Sequence, residues 1–373
     1  MHRERFMLCS LVASATILGL LSPLAPRLRL LDHPNERRKT HAQPVPLIGG
    51  IAIFGGILLS VSMSIPLDRP LAYGLSGAAL LVVVGMLDDI LGLGPKLRIV
   101  AQIAAALLLT VGGGVTLTSL DDLFGFGSID LGLFAVPFTV FAIVGICNAF
   151  NMIDGIDGLA GGLTLIALGV LVLLSPGDGA PRILMLVTIA AIVPYLICNL
   201  QLFGCTGVKV FLGDAGSLLL GYLVVWMLIT AVQSPATLTP AAAVWIVAIP
   251  LMDTFCVMGR RMLKGRSPFC ADRAHLHHVL ARCFNSPRKA LSLILPTAAV
   301  LAGIGLFGQV QRVAPAALIW AALAFFALYL IVLRYAPRLY RSLARQRTVG
   351  FRRRTATSDA VPRVGHDVVT AET

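Results

Sequence analysis

Long apolar segments dominate this sequence and limit its fold more than any other feature. Eleven of them are long enough to cross a bilayer as helices, since a membrane helix takes about 20 residues. The segments are 6–26, 47–65, 71–87, 99–117, 132–147, 159–175, 182–199, 217–233, 240–258, 290–308 and 314–334. This pattern predicts an all-α, polytopic integral membrane protein with about eleven transmembrane helices over residues 1–335, followed by a tail at 336–373.

Composition excludes the other common classes of protein. Hydrophobic residues make up 57% of the chain and charged residues only 13%, whereas soluble domains carry about 25% charged residues. The high hydrophobicity also excludes an intrinsically disordered chain. The seven cysteines form no CxxC pair, so we interpret them as small buried side chains and not as disulfide partners or zinc ligands.

The basic residues predict how the chain lies in the membrane. If the apolar segments alternate in direction, 25 of the 30 Lys and Arg residues fall on one side. Cytoplasmic loops carry this excess in membrane proteins. We therefore expect the N-terminus outside and the basic tail, as a disordered segment, in the cytoplasm. The net charge of +12 then reflects topology and anionic lipid headgroups, and no nucleic-acid partner is predicted.

The distinctive polar clusters all lie in the predicted cytoplasmic loops, whereas the outer loops resemble plain connectors. A transport pathway needs polar groups near the middle of the membrane. Asp253, near the end of the ninth segment, is the only residue that approaches this requirement. The one-sided arrangement favours an enzyme whose active site lies on the cytoplasmic loops.

The first cluster is a pair of acids, Asp88 and Asp89, which ends the third segment. Two adjacent carboxylates at a membrane boundary repel each other, and one of them titrates high unless a cation joins them. A general base needs a carboxylate with such a raised pKa, and a divalent-metal site needs carboxylates that a cation can join. Lys96 and Arg98 follow closely enough to reach phosphate oxygens. A helix-capping pair with nearby topological charges is the alternative interpretation.

The second cluster contains Asn148, Asn151, Asp154 and Asp157, which recur at steps of three. On a helical turn this spacing would stack them along one face. Oxygen ligands without Cys or His suit Mg²⁺ or Mn²⁺. Asp214 lies between glycines where the eighth segment begins. The residues alone leave open whether Asp214 caps a helix or belongs to a phosphate site.

The third cluster lies in the longest cytoplasmic loop and contains Arg273, His275, His277 and His278. Three histidines within four residues suggest zinc, but no Cys and no HExxH-type motif supports a zinc site. Because many Arg residues flank the histidines, a site for nucleotide phosphates is favoured. A zinc site and a solvated basic surface stay open as alternative interpretations of this cluster.

Together these clusters resemble the polyprenyl-phosphate N-acetylhexosamine-1-phosphate transferases, a family that includes the phospho-MurNAc-pentapeptide transferases. The matching elements lie in family order between residues 32 and 280: RRKTH…PVPLIGG, DDILGLGPK, NAFNMIDGIDGLAGG, FLGDAGS and SPFCADRAHLHHVL. The last element is similar to the bacterial WecA-like branch, because Leu276 interrupts the consecutive histidines found in the MurNAc-pentapeptide branch.

The resemblance implies an enzyme of the bacterial inner membrane. It would transfer an N-acetylhexosamine 1-phosphate, GlcNAc-1-phosphate first of all, from a UDP-sugar to undecaprenyl phosphate and release UMP. This reaction would initiate a cell-surface polysaccharide. Three other sugar donors stay open: UDP-GalNAc, UDP-QuiNAc and a UDP-MurNAc-pentapeptide. A homodimer also stays open under this resemblance. The alternative in a different class is a transporter of lipid-linked or nucleotide sugars.

The resemblance also implies roles for individual residues. Asp214 and Asn151 would hold Mg²⁺ or Mn²⁺, and Asp88 would act as base or nucleophile with support from Asp89. Lys96 would contact lipid or diphosphate oxygens. The remaining candidates would bind the nucleotide sugar: Asn148, Asp154, Asp157, Arg273, His275, His277 and His278.

Overall fold

The computed structural model is almost entirely helical. It describes residues 2–34, 43–64, 66–175, 177–204, 209–234, 237–265 and 275–335. The helices are α1 His2–Leu21, α2 Gly49–Ser64, α3 Arg69–Leu91, α4 Pro95–Leu107, α5 Ala135–Ile153, α6 Leu159–Leu174, α7 Ala180–Leu200, α8 Gly213–Val232, α9 Pro240–Ile246, α10 Ala248–Met262, α11 Leu276–Phe284, α12 Pro287–Val310 and α13 Pro315–Tyr335. The strands β1 Leu31–Asp32 and β2 Val45–Pro46 pair antiparallel.

Most of these helices have the length and composition of membrane spans. Within the described residues, eight helices are long and apolar enough to cross a bilayer, and a ninth span results if α9 and α10 are counted as one broken helix. The shorter apolar helices α2 and α6 lie where two more spans are predicted. The all-α, multi-pass membrane fold is confirmed, whereas the count of eleven spans stays a prediction.

Helix α8 forms the centre of the bundle, with α2, α3, α5 and α6 packed around it. Small residues allow the closest of these contacts. A Cβ atom on Gly50 would overlap the backbone of Gly216, and one on Gly85 would overlap that of Ala215. Membrane helices associate closely where small residues bring their backbones together. The start of α8 is therefore held tightly between α2 and α3.

A short backbone ladder fixes the chain that enters α8. Phe211 donates its N–H to the Pro46 carbonyl at 2.8 Å, and its own carbonyl accepts from Gly49 at 3.0 Å. Leu212 accepts from Gly50 at 3.1 Å. The predicted motif around Pro46–Gly50 thus acts structurally on the motif that contains Asp214.

Pro137 and Pro194 lie inside predicted apolar segments without ending them. Pro137 falls in the first turn of α5, where its missing N–H costs no helical hydrogen bond. Helix α7 continues through Pro194 to Leu200. The ninth segment is different, because α9 and α10 meet at Val247 with a bend of 83°.

The chain divides into two compact units, Met1–Phe326 and Ala327–Thr373. All the candidate site residues lie in the first unit. The predicted basic tail, 336–373, lies outside the described residues.

Candidate active site

Four helix ends meet at one end of the bundle and form the candidate site. The ends are the last turn of α3, the first turn of α4, the last turn of α5 and the first turn of α8. A sharp reversal joins α3 to α4: Gly92 ends α3 with a left-handed φ of 66°, and Pro95 begins α4. This turn brings Arg98 back against Asp88.

Arg98 connects two carboxylates that are distant in sequence. Its Nη1 atom lies 3.0 Å from Asp88 Oδ2 and 3.0 Å from Asp214 Oδ2. Asp88 is only 6% exposed. A buried carboxylate needs a partner, because an isolated charge in a low-dielectric region is costly. Arg98 is this partner for Asp88, and it joins Asp88 to Asp214 and not to the adjacent Asp89.

Asn151 extends this cluster on the side of α5. Its Nδ2 atom donates to Asp214 Oδ1 at 2.7 Å and to Ser217 Oγ at 2.9 Å. Because α5 ends at Ile153, beyond the end of the predicted apolar segment 132–147, Asn151 lies on the last helical turn. The structure thus brings Asp88, Asp214 and Asn151 together, with Arg98 and Ser217 between them.

Asp89 caps α8 with both of its carboxylate oxygens. Its Oδ1 accepts the backbone N–H of Asp214 at 3.0 Å, and its Oδ2 accepts that of Ala215 at 3.4 Å. Gly213 has a φ of 72°, and a Cβ there would meet the Asp89 carboxylate. The capping role that the sequence left open for Asp214 therefore belongs to Asp89. The Asp214 side chain instead faces Arg98 and Asn151.

Asn148 lies one turn deeper on α5 than Asn151 and binds the neighbouring helix. Its Nδ2 donates to Gln102 Oε1 on α4 at 2.6 Å and to the Val144 carbonyl at 2.8 Å. Gln102 is fully buried. The structure therefore gives Asn148 a helix-pairing contact beneath the cluster.

Asp154 and Asp157 do not share a helix face with the two asparagines, so the predicted stack of four residues is wrong. Glycines cause the difference: the chain leaves the helix after Ile153, and Gly158 adopts a φ of 77° before α6 begins. In this loop Asp157 Oδ2 pairs with Lys209 Nζ at 2.7 Å. A counter-ion that the local sequence lacks comes from the segment before α8.

Asp154 has an altered affinity for protons. Burial raises the pKa of Asp154 to about 7, and the negative charges of Asp214 and Asp157 act in the same direction. Asp154 thus lies within electrostatic reach of the Asp214 cluster. A carboxyl group whose pKa is perturbed by burial and by neighbouring charges is a candidate for a functional site.

The histidine motif packs against the same loop. His275 Nδ1 lies 2.7 Å from Asp253 Oδ2. The His277 ring stacks on His275 with centroids 5.7 Å apart, and a Cβ on Gly155 would overlap its Nε2 atom. Burial, with the adjacent charge of His278, lowers the pKa of His277 to about 3. His277 is therefore a buried neutral ring.

Of the remaining predicted site residues, Lys96 lies apart from these contacts and Arg273 is not described. Lys96 is exposed at the start of α4 and forms no hydrogen bond or ion pair with the residues that the structure describes. Arg273 lies outside the described residues, as does the Arg37–His41 part of the first motif. Their roles stay predictions.

The donor set fits a hard divalent cation. Asp88, Asp214 and Ser217 present carboxylate and hydroxyl oxygens, which are ligands that Mg²⁺ and Mn²⁺ prefer. Asn151 turns its amide nitrogen toward Asp214 and Ser217, and it would offer its oxygen to an ion after a flip of the amide. No group of three or more His, Cys, Asp or Glu side chains that could hold a metal occurs among the described residues.

Comparison with known proteins identifies the family. Residues 71–232 match glycosyl transferase family 4. An undecaprenyl-phosphate alpha-N-acetylglucosaminyl 1-phosphate transferase of Yersinia pestis is 39% identical over 86% of this chain and 88% of the relative. Proteins of the same name from Escherichia coli K12 and Haemophilus influenzae are 38% and 37% identical, over 87% and 88% of this chain and 91% and 93% of the relatives. The chain therefore belongs to the family of these undecaprenyl-phosphate N-acetylglucosaminyl 1-phosphate transferases.

Family membership confirms the resemblance found in the motifs. The matched region, 71–232, contains the four helix ends that carry Asp88, Arg98, Asn151 and Asp214. The protein is thus a multi-pass membrane enzyme of a sugar-1-phosphate transferase family, and its polar cluster is its candidate active site.

Sequence reasoning missed several residues of this site. It selected Lys96 over Arg98, although both follow the acidic pair closely. It gave no role to Gln102 or Lys209, gave Ser217 only a backbone contact with phosphate as one alternative, and gave Asp253 no role besides transport. A signal existed for Arg98 and Ser217, because Arg98 lies two residues after Lys96 and Ser217 lies three residues after Asp214. Contacts across distant helices supplied the others.

Proposed function

We propose that this protein transfers N-acetylglucosamine 1-phosphate from UDP-GlcNAc to undecaprenyl phosphate. The products are an undecaprenyl-diphospho-sugar and UMP, and the reaction starts a cell-surface polysaccharide. One observation carries the proposal: the cluster of Asp88, Arg98, Asn151 and Asp214 at four helix ends. Relatives at 37–39% identity that carry this activity in their names support it.

In the proposed reaction an oxygen of the lipid phosphate attacks the phosphorus that bears the sugar. The bond from that phosphorus to the bridging oxygen breaks, and UMP leaves. Phosphoryl transfer depends mainly on positioning and charge neutralisation. Arg98 supplies a fixed positive charge between two helix ends, and Lys96, exposed beside it, is free to contact phosphate oxygens of the lipid or of the donor.

Asp88 accepts any residual proton of the attacking phosphate. A lipid monoester phosphate is largely dianionic near neutral pH, since its second pKa is about 6, so it needs little activation. We therefore favour direct attack over a covalent sugar-phosphoryl intermediate on Asp88. Asp154, Asp157 and the histidine motif border the space assigned to the nucleotide sugar.

Mg²⁺ or Mn²⁺ is the proposed cofactor, held by Asp214 and Asn151. When bound, such an ion neutralises charge on the diphosphate and orients it. The carboxylate and hydroxyl oxygens of Asp88, Asp214 and Ser217 support this choice. Asp214→Asn is expected to abolish transfer, because the carboxylate would bind the ion and also holds Arg98 and Asn151 in place. The variant protein should remain folded.

The proposed setting is the bacterial inner membrane, with the four helix ends on the cytoplasmic side, where UDP-sugars occur. The excess of basic residues on that side supports this orientation. A homodimer is compatible with the proposal.

Purified protein incubated with undecaprenyl phosphate, Mg²⁺ and single UDP-sugars tests the donor. We expect UMP release with UDP-GlcNAc to exceed that with UDP-GalNAc, UDP-QuiNAc or the UDP-MurNAc-pentapeptide. Release should require the lipid phosphate and stop in excess EDTA. Equal release without the lipid, or full activity after verified metal removal, would contradict the proposal.

A single-turnover experiment on lipid-free enzyme tests the mechanism. Direct attack requires both substrates together, so UDP-GlcNAc alone should yield no UMP. A stoichiometric burst of UMP from wild-type enzyme that is absent in Asp88→Asn would instead establish the covalent route.

A further inference from the structure

A second buried polar contact lies outside the aspartate cluster, on the broken span. Asp253 is in the middle of α10 and is 1% exposed. A carboxylate at such a position is costly unless other groups satisfy it. Its two oxygens bind two consecutive residues from beyond the following loop: Oδ2 lies 2.7 Å from His275 Nδ1, and Oδ1 accepts the Leu276 N–H at 2.8 Å.

The second of these contacts caps α11. Helix α11 begins at Leu276, and His275, in the capping position, makes no side-chain cap hydrogen bond of its own. The first N–H groups of a helix lack partners within the helix, and a carboxylate there also interacts favourably with the helix dipole. Asp253 therefore performs from α10 the role that a local Ser or Asp usually performs.

The first contact determines how His275 presents its ring. With Asp253 at Nδ1, the hydrogen on that nitrogen is held by the carboxylate, and Nε2 is the only ring nitrogen left for another group. A carboxylate that binds one nitrogen of a histidine fixes both the orientation of the ring and its tautomer. His277 stacks on this ring and packs against Gly155, so the same contact sets how the motif meets the Asp154 loop.

We propose that Asp253 is a positioning residue for the nucleotide-sugar site. It acts through His275, by holding its Nδ1 hydrogen, and through Leu276, by fixing the start of α11. The proposal rests on the proposed function, because it takes the histidine motif as part of the donor site.

The change Asp253→Asn separates the two contacts. The Leu276 N–H still requires an acceptor, so the Asn oxygen turns toward it and the Asn amide nitrogen faces His275 Nδ1. Two donors cannot face each other, so His275 moves its hydrogen to Nε2. The same exchange next to a catalytic histidine enforces the wrong tautomer without disturbing the fold. Helix α11 keeps its cap, whereas His275 Nε2, the nitrogen available to substrate, changes from a hydrogen-bond acceptor to a donor.

Steady-state kinetics of the full-length protein test this consequence. Asp253→Asn should raise the KM for UDP-GlcNAc at least about tenfold, while the KM for undecaprenyl phosphate changes less than about twofold. A general loss of packing would instead alter both KM values together or reduce only the amount of active enzyme. Asp68→Asn is the matched control, because Asp68 caps α3 by accepting the Leu71 N–H at 2.9 Å, far along the chain from the histidines. It should leave both KM values unchanged.

A double-mutant comparison tests whether Asp253 acts through His275. In a His275→Ala background, Asp253→Asn should add less than about a twofold effect, because the ring that it orients is gone. An equal tenfold effect in that background, or an Asp253→Asn enzyme with wild-type KM for UDP-GlcNAc, would overturn the proposal.

A spectroscopic readout keeps the test independent of activity. In ¹⁵N-histidine-labelled protein in lipid nanodiscs, the His275 signals can be assigned by their loss in His275→Gln. Nδ1 should carry the hydrogen in wild-type protein and lose it in Asp253→Asn. If Nδ1 lacks a hydrogen in wild-type protein, the positioning proposal fails. If wild-type protein shows the expected state but releases no UMP with any donor, the proposed function fails and the contact stands.

Discussion

At the scale of single residues, the cluster depends on one guanidinium that touches two carboxylates. Arg98 Nη1 lies 3.0 Å from both Asp88 and Asp214. Lysine is a poor substitute at such a site, because it presents a compact charge on a flexible stem and not a planar fork. Removing the guanidinium leaves the buried Asp88 carboxylate without this partner.

We therefore expect Arg98→Ala to lower kcat by at least about 100-fold, which corresponds to about 2.7 kcal/mol in the barrier. Lys96→Ala should keep kcat within about threefold and raise the KM for a phosphate-bearing substrate, since Lys96 is exposed and outside the cluster. Measured kcat and KM for both variants check this order. A larger loss of kcat in Lys96→Ala than in Arg98→Ala would contradict the structure.

Much of the site could be predicted from the sequence, but helix phase and distant contacts could not. The motifs indicated Asp88, Asn151 and Asp214, and the structure brings them together. Of the two basic residues Lys96 and Arg98, Arg98 faces the acids. Its direction depends on the start of α4 at Pro95, which the composition of the loop does not reveal. Asp253 was hidden, because an acid inside an apolar segment gives no sign of a partner 22 residues later.

At the scale of secondary-structure elements, close packing of α8 positions Asp214. The backbones of Gly50 on α2 and Gly216 on α8 leave no room for an added Cβ. The same end of α8 is held by the Asp89 cap and by the ladder from Phe211. The sequence predicted these apolar segments well, but not that glycine contacts would align their ends.

Gly50→Ala should therefore lower the free energy of unfolding of the purified protein by about 1–3 kcal/mol. It should also reduce kcat, because the added methyl group would displace Asp214. Gly169 on α6 is the matched control, since a Cβ there meets no atom within 4 Å. Gly169→Ala should leave stability unchanged or raised, because alanine favours helix over glycine by about 1 kcal/mol. Unfolding followed by tryptophan fluorescence in detergent measures both. Equal stability of the two variants would contradict the packing described for α8.

At the scale of the whole molecule, the account requires all four helix ends of the site to face the cytoplasm. The bundle places Lys96 at that end and Asp122, in the loop before α5, on the predicted outer side. In a cysteine-free background, Asp122→Cys should react with a membrane-impermeant maleimide in intact cells. Lys96→Cys should react only after the cells are opened. Labelling of Lys96→Cys in intact cells would reverse the orientation.

The central claim is that the sugar moves together with its phosphate. UDP-GlcNAc carrying a radioactive β-phosphate tests it directly, with purified protein, undecaprenyl phosphate and Mg²⁺. The account predicts that the label passes into the lipid fraction while unlabelled UMP is released in equal amount. Label that remains in water-soluble UDP while the lipid acquires GlcNAc would mean transfer of the sugar alone, and would contradict it.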